Sequence, residues 1–244
     1  MSENISSSVL FHFTSSLANL KSILENGFYP RYCPEYSYGS KQGHAASKNL
    51  PPLTAVPMVC FCDLPLALIK FHLKAYGEFG IGLTKEWGIR NGLSPVFYIH
   101  EQSLLFQLLP SRIRAYDRDL RLLFAYTKPI DGPAWRKGKT QHSIKFYDER
   151  EWRFVPRLKD AAQLQLPRED YSDVLKLEAL HQSLKEKFKL TIYPIDIQYL
   201  ILPESKDEHE IVDFVEFLNK LYSPRDAILV TTTIMTTGCI INDI

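Results

Sequence analysis

The sequence predicts an α+β fold with a mixed or antiparallel β-sheet and flanking helices. Short apolar runs of strand length alternate with segments whose apolar residues recur at helical spacing, and the chain has no internal repeat. With 244 residues, of which 45% are hydrophobic, it can bury a large core. We therefore expect a single domain over residues 1–244, with a small C-terminal subdomain over 190–244 as the alternative.

The first half of the chain predicts four strands and two or three helices. The first helix has Ser15 or Ser16 as its N-cap and Gly27 as its C-cap. Gly77, Gly80 and Gly82 predict a tight turn and then a strand pressed against another backbone or a ligand. In order, we expect a strand at 9–13, a helix at 15–26, a long loop at 29–53, a strand at 59–62, a helix at 66–76, a strand within 77–83, a turn or short helix at 85–91 and a strand at 96–99.

The second half predicts more helix. Gly132, Pro133 and Gly138 indicate a loop over 131–140. Two runs rich in β-formers, 197–202 and 228–232, flank an amphipathic helix at 208–221. The remaining predictions are helix over most of 101–124, a strand within 145–155 and a polar helix at 170–189.

Composition narrows the class of protein. A formal net charge of +1 gives no reason to expect broad, non-specific binding of nucleic acid, although a local basic groove stays open. The four cysteines lack zinc-binding spacing, so we expect reduced thiols and no metal. No apolar run is long enough to span a bilayer, and the N-terminus lacks a signal-peptide pattern. We expect a cytoplasmic protein with no membrane contact.

His12 is the first candidate site residue. It lies between Phe11 and Phe13, so on a strand it faces away from both, and Thr14 shares its face. The alternative is a core histidine that is hydrogen-bonded to the backbone.

Glu149 and Glu151 form a second candidate. On a strand they share a face with Arg153, so their charges repel unless Arg153 or Lys145 balances them. Such a carboxylate can stabilise an oxocarbenium ion developing at a ribose carbon. The alternative is a solvated strand edge with salt bridges.

A third candidate lies in the predicted loop 29–53, where basic and aromatic residues are interleaved. Arg31 and Tyr32, with Lys41, His44 and Lys48 further on, suit stacking on a base or nicotinamide with phosphate pairing nearby. The alternative is a surface loop of ordinary composition.

These segments, taken in order, resemble two known families. Residues 10–14, Asn19, Gly27, the stretch 61–66 and Glu151 followed by Trp152 are similar to the opening, second strand and catalytic position of DarT-type ADP-ribosyltransferase toxins. Residues 29–33, 58–65 and 76–83 resemble, more closely, the AbiGi abortive-infection family of bacterial phage resistance.

The resemblance implies an ADP-ribosyltransferase-like fold, a split β-sheet with NAD as substrate in its cleft. It implies that Glu151, Glu149 and His12 are catalytic, with Glu149 completing a Glu-x-Glu pair, and that His12 and Asn19 hold NAD. Thr14, Arg31, Tyr32 and Phe61 would be further NAD contacts. DarT-type enzymes carry a catalytic arginine before the second strand, where this chain offers only Lys41 and Lys48.

Two functional hypotheses follow. The first is an NAD-dependent ADP-ribosyltransferase of phage defence that modifies a nucleic acid or protein acceptor. The second is a non-enzymatic antitoxin or regulatory module that binds a toxin, since AbiGi proteins are described as antitoxins. A nuclease or metal hydrolase is disfavoured because no His/Asp cluster has ligand spacing.

Overall fold

The computed structural model describes residues 7–36, 53–100, 102–105, 118–136, 139–204 and 208–242. Its helices accompany strands that pair both antiparallel and parallel, which confirms a mixed α+β architecture. The chain forms two compact units. Unit 1 consists of Met1–Phe28, Cys60–Leu93 and Leu190–Ile244, and unit 2 of Tyr29–Val59 and Ser94–Lys189. Two such units can belong to one domain, so the single domain stays a prediction.

The elements follow the chain in an alternating order. The strands are β1 Val9–Thr14, β2 Arg31–Tyr36, β3 Leu53–Cys62, β4 Phe79–Thr84, β5 Ser94–Pro95, β6 Phe97–Ile99, β7 Thr127–Pro129, β8 Asp131–Arg136, β9 Lys139–Lys145, β10 Glu151–Phe154, β11 Ile197–Leu202 and β12 Ile234–Thr236. The α-helices are α1 Leu17–Asn26, α2 Lys70–Tyr76, α3 Lys85–Arg90, α4 Arg118–Ala125, α5 Arg168–Ser172, α6 Val174–Lys187, α7 Glu208–Leu221, α8 Pro224–Thr231 and α9 Thr237–Asn242. Short 3₁₀ helices occupy Leu66–Leu68, Phe146–Glu149, Ala161–Leu164 and Pro194–Asp196.

The sheet of unit 1 runs in the order β12, β11, β4, β1 and the end of β3. β1 pairs antiparallel with β4 along its whole length, and Phe11 pairs with Cys62 of β3. β11 and β12 are parallel, a pairing that needs a long crossover, and α7 and α8 supply it. The core contains Leu10, Phe11, Leu20, Ile81, Leu83, Trp87, Leu200, Ile201, Phe214 and Leu218.

Two glycines allow the close packing of β1 against β4. Gly77 has φ +137°, and a Cβ built there would lie 2.2 Å from the carbonyl oxygen of Thr14. A Cβ on Gly82 would lie 2.8 Å from the ring of Phe11. The predicted close approach of this strand to its neighbour is therefore confirmed, and the neighbour is β1.

Unit 2 is built around the first seven residues of β3. They pair antiparallel with β2, from Arg31 opposite Met58 to Tyr36 opposite Leu53. β3 also lies next to β10, which pairs antiparallel with β5. β8 and β9 form an antiparallel pair, and β6 and β7 a short parallel one.

The predicted helix 170–189 is two helices, α5 and α6, separated at Asp173. Three other predicted elements also differ from the structure. Part of the predicted loop 29–53 is strand β2, while residues 37–52 lie outside the described residues. The predicted loop 131–140 contains all of β8 and the start of β9. The predicted β-rich run 228–232 belongs to α8 and the turn after it, and the strand lies later, at β12. In the predicted helix 101–124, residues 101 and 106–117 lie outside the described residues.

Candidate functional site

The predicted site residues are divided between the two units. His12, Thr14, Asn19 and Phe61 belong to unit 1, whereas Arg31, Tyr32, Glu149 and Glu151 belong to unit 2. Lys41, His44 and Lys48 of the third candidate lie outside the described residues.

His12 is half-buried on β1, where its neighbours fix the ring. Nδ1 donates a hydrogen bond to the carbonyl oxygen of Cys60 at 2.8 Å, which leaves the lone pair of the neutral ring on Nε2. The ring lies 4.9 Å from the Phe28 ring and 5.5 Å from the Phe61 ring, centroid to centroid. Burial lowers the pKa of His12, and the bond to Cys60 opposes that shift only in part. This geometry matches the alternative given above for His12, a core histidine that is hydrogen-bonded to the backbone.

The other three predicted residues of unit 1 have different surroundings. Phe61 is 2% exposed and packs on Trp87 as well as on His12 and Phe28, so it is part of the aromatic core. Thr14 is half-buried at the end of β1. Asn19 is exposed, and its backbone N–H donates to the N-cap hydroxyl of Ser16 at 3.2 Å. Their predicted contacts with NAD stay predictions.

Tyr32 and Arg31 contact His181, which was not among the predicted site residues. The N–H of Tyr32 donates to Nε2 of His181 at 3.1 Å, and the Tyr32 hydroxyl donates to the carbonyl of Gln163 at 3.0 Å. Nη2 of Arg31 lies 3.4 Å from Nδ1 of the same imidazole. Burial, together with the carboxylate of Asp160, raises the pKa of Tyr32 to about 12. Tyr32 is thus held as a neutral, buried hydrogen-bond donor.

Glu151 lies in a buried ion cluster on β10. Its Oε1 accepts from Nε of Arg153 at 2.5 Å, and its Oε2 accepts from Nζ of Lys128 at 2.9 Å and Nη2 of Arg153 at 3.2 Å. Its backbone N–H donates to the hydroxyl of Tyr98 at 2.8 Å. Both carboxylate oxygens are therefore already bonded to cations.

Glu149 reaches the same lysine from a different element, which corrects the prediction that it shares a strand face with Glu151. It ends the 3₁₀ helix Phe146–Glu149, and the left-handed backbone of Arg150 (φ 45°) turns the chain into β10. Its Oε2 accepts from Nζ of Lys128 at 2.9 Å, and its Oε1 is bonded to Nη2 of Arg136.

The cluster is balanced in charge. Glu35 of β2 adds a third carboxylate, 2.5 Å from Nη2 of Arg153 and 3.7 Å from Nζ of Lys128. Three carboxylates thus face three cations. Burial alone would lower the pKa of Lys128, but Glu151, Glu149 and Glu35 outweigh burial and hold it well above its usual value. The expected balancing by Arg153 is confirmed for Glu151, whereas Glu149 is bonded to Lys128 and Arg136.

Glu35, Lys128 and Arg136 were missed because they lie on strands that the sequence did not reveal. Because of Pro34, the segment that forms β2 was predicted to be a loop, although proline is compatible with an edge strand. Gly132 and Pro133 likewise hide β8. The one available signal was the glycine at 138 between two strand-length segments, which is typical of a hairpin.

Two features are absent from the described residues. Among them, no group of three or more His, Cys, Asp or Glu side chains is arranged to hold a metal ion. None of the helices in the described part of the chain is both long and apolar enough to cross a membrane.

Comparison with known proteins identifies a family. The family model described as "Putative abortive phage resistance protein AbiGi, antitoxin" matches residues 26–203, about three quarters of the chain. The "Abortive phage resistance protein AbiGi" of Lactococcus lactis subsp. cremoris is 36% identical over 157 residues, which cover 53% of this chain and 61% of that protein. The chain thus spans about three fifths of the length of this curated relative.

No solved structure matches the chain significantly. The resemblance to DarT-type enzymes therefore stays a prediction, whereas the closer resemblance is confirmed. With three quarters of its length matched, the chain belongs to the AbiGi family of abortive phage resistance proteins.

Proposed function

We propose that this protein is the antitoxin of an abortive-infection pair in bacterial defence against phage, and that it acts by binding its partner toxin. The name of the Lactococcus relative supports a role in phage resistance, and the family description adds the antitoxin role. Binding requires no catalytic group, so the proposal asks only for a stable fold with a recognisable surface.

The observation that carries this proposal is that both carboxylate oxygens of Glu151 are bonded to cations. A carboxylate stabilises an oxocarbenium ion when its negative charge faces the reacting carbon. Both oxygens of Glu151 instead accept hydrogen bonds from Lys128 and Arg153, and those of Glu149 are bonded to Lys128 and Arg136. Within the described part of this cluster three carboxylates pair with three cations, which suits a structural clamp.

The second candidate is the NAD-dependent ADP-ribosyltransferase, with a nucleic acid or protein as acceptor. The observation in its favour is the fixed orientation of the His12 ring. Its Nδ1–H is bonded to the carbonyl oxygen of Cys60, so Nε2, the acceptor nitrogen, points away from Cys60. In this case the residue roles are those that the resemblance implies, with Glu151 as the catalytic carboxylate. The ion cluster would then have to open before each turnover.

The test of the antitoxin is co-expression with the product of a neighbouring gene that arrests growth when it is expressed alone, called here the partner toxin. Bacteria expressing the toxin alone should stop growing, and co-expression of this protein should restore growth. The two proteins should co-purify and elute together in size-exclusion chromatography with light scattering. Growth arrest that persists despite abundant, folded antitoxin would contradict the proposal.

A further inference from the structure

A small open cavity lies in unit 1 where α1, β4, β11 and α7 meet. It has a volume of about 80 Å³. The residues that line it are Leu17, Phe79, Leu202, Pro203, Glu210 and Ile211. All of them belong to unit 1. Leu17, Phe79 and Ile211 are only half-buried, so these apolar walls remain accessible from solvent.

The lining has a specific chemistry, since five of its six residues are apolar and the sixth is a carboxylate. An arginine side chain has the same two parts, an aliphatic stem that packs on apolar surface and a planar guanidinium that pairs with a carboxylate. An arginine could therefore lay its stem on Phe79 and Ile211 while its guanidinium binds Glu210. Arginine is also among the residues that contribute most to binding at protein interfaces.

The surroundings of the cavity add negative charge. Glu210 and Asp213 are exposed three residues apart on α7, and Glu78 and Glu204 are exposed next to the lining residues Phe79 and Pro203. Two cations lie nearby on the same helices: Lys220 is 3.9 Å from Glu216, and Lys21 of α1 lies over the ring of Phe217. Unit 1 as a whole has 8 Lys and Arg against 14 Asp and Glu, a formal charge of −6. This field attracts a basic protein surface and repels an acidic one.

We propose that this cavity is the docking point for the partner toxin and that it receives an arginine side chain from a basic segment of that toxin. The inference rests on the proposed antitoxin function and names the surface that would perform it. It predicts that Glu210 contributes far more to the affinity than other exposed acids of unit 1.

The experiment measures the dissociation constant between purified full-length antitoxin and the partner toxin by isothermal titration. The variants are Glu210→Lys, which reverses the charge at the cavity, and Glu210→Gln, which removes it with little change of shape. Glu25→Lys is the control, because Glu25 is an exposed acid of α1 outside the lining and its replacement changes the net charge equally. Thermal unfolding checks that each variant is folded.

We expect Glu210→Lys to raise the dissociation constant about tenfold or more, Glu210→Gln to raise it by less, and Glu25→Lys to change it about threefold at most. Equal losses in Glu210→Lys and Glu25→Lys would overturn the cavity as docking point, since only the overall charge would matter. Wild-type affinity in both Glu210 variants would overturn it too, although the antitoxin function would stand. A wild-type protein that does not bind the toxin would overturn that function and the inference with it.

Discussion

Arg153 is a charged side chain with no exposed surface, so its partners decide its energetic effect. It donates to Glu151 and Glu35 at 2.5 Å and to the carbonyl of Ala125 at 2.7 Å. A buried ion pair can be roughly neutral as a whole, because desolvation opposes the attraction of the charges. Removing one partner is costly, since it leaves the other charge buried and uncompensated.

We therefore predict that Arg153→Met lowers the free energy of unfolding by about 3–5 kcal/mol. Methionine keeps much of the side-chain volume but leaves two carboxylates and a carbonyl short of a donor. The matched control is Arg157→Met, because Arg157 is 68% exposed and lies 3.8 Å from an exposed Asp119. This control should cost at most about 0.5 kcal/mol in urea unfolding. Similar losses in the two variants would show that the cluster is not a clamp.

The protonation of His181 makes the stability of the folded chain depend on pH. Its Nε2 accepts the N–H of Tyr32 and must therefore be unprotonated. Burial, with Arg31 nearby, lowers the pKa of His181 below 6.5, and Glu178 opposes this shift. The unfolded chain consequently binds a proton that the folded chain excludes, so stability is present above pH 6.5 and is lost as the pH falls below it. His12 has the same sign.

We predict that the urea midpoint of the wild type falls between pH 7.5 and pH 5.5, and that it falls less in His181→Gln. Glutamine can still accept the Tyr32 N–H through its oxygen but does not titrate. The control is His142→Gln, on an exposed position of β9, which should retain the wild-type fall. An unchanged fall in His181→Gln would exclude His181 as a source of the pH dependence.

At the scale of elements, local signals predicted some parts of the fold well. α1 begins after the N-cap Ser16 and ends before the C-cap Gly27 (φ 72°), as Ser and Gly at these positions predicted. The strand predicted at 228–232 was wrong because the β-branched residues there were given more weight than the helix-start signal just before them. Ser223 caps α8, Pro224 occupies its first turn, and Ala227 and Val230 are buried at helical spacing.

The ion cluster shows what local signals could not supply. The predicted association of Glu149, Glu151 and Arg153 followed from their spacing, although Glu149 reaches it from a 3₁₀ helix. Glu35 and Lys128 enter from β2 and β7, at sequence distances of 118 and 23 residues from their partners Arg153 and Glu151. Glu35 arrives through the pairing of β2 with β3, next to β10, whereas Lys128 comes from the separate β6–β7 pair. Such contacts between distant elements leave no local pattern in the sequence.

The whole molecule has a charge separation that its net charge of +1 conceals. Unit 2 contains 21 Lys and Arg against 14 Asp and Glu, a formal charge of +7, whereas unit 1 has −6. The cluster around Arg153 is balanced and contributes nothing to this excess. The formal charges of the two units are opposite in sign, so unit 1 favours a basic partner surface and unit 2 an acidic one.

The two candidate functions predict different responses of the whole molecule to NAD. A ligand that binds only the folded state stabilises it, and at 100 times its dissociation constant it raises the melting temperature of a chain of this size by roughly 5–10 °C. We predict no shift for this protein in thermal unfolding with a large excess of NAD, because an antitoxin that acts by binding a toxin needs no such site. A shift in the wild type that is absent in His12→Gln would contradict this prediction and favour the transferase, since it would show that NAD binds at His12.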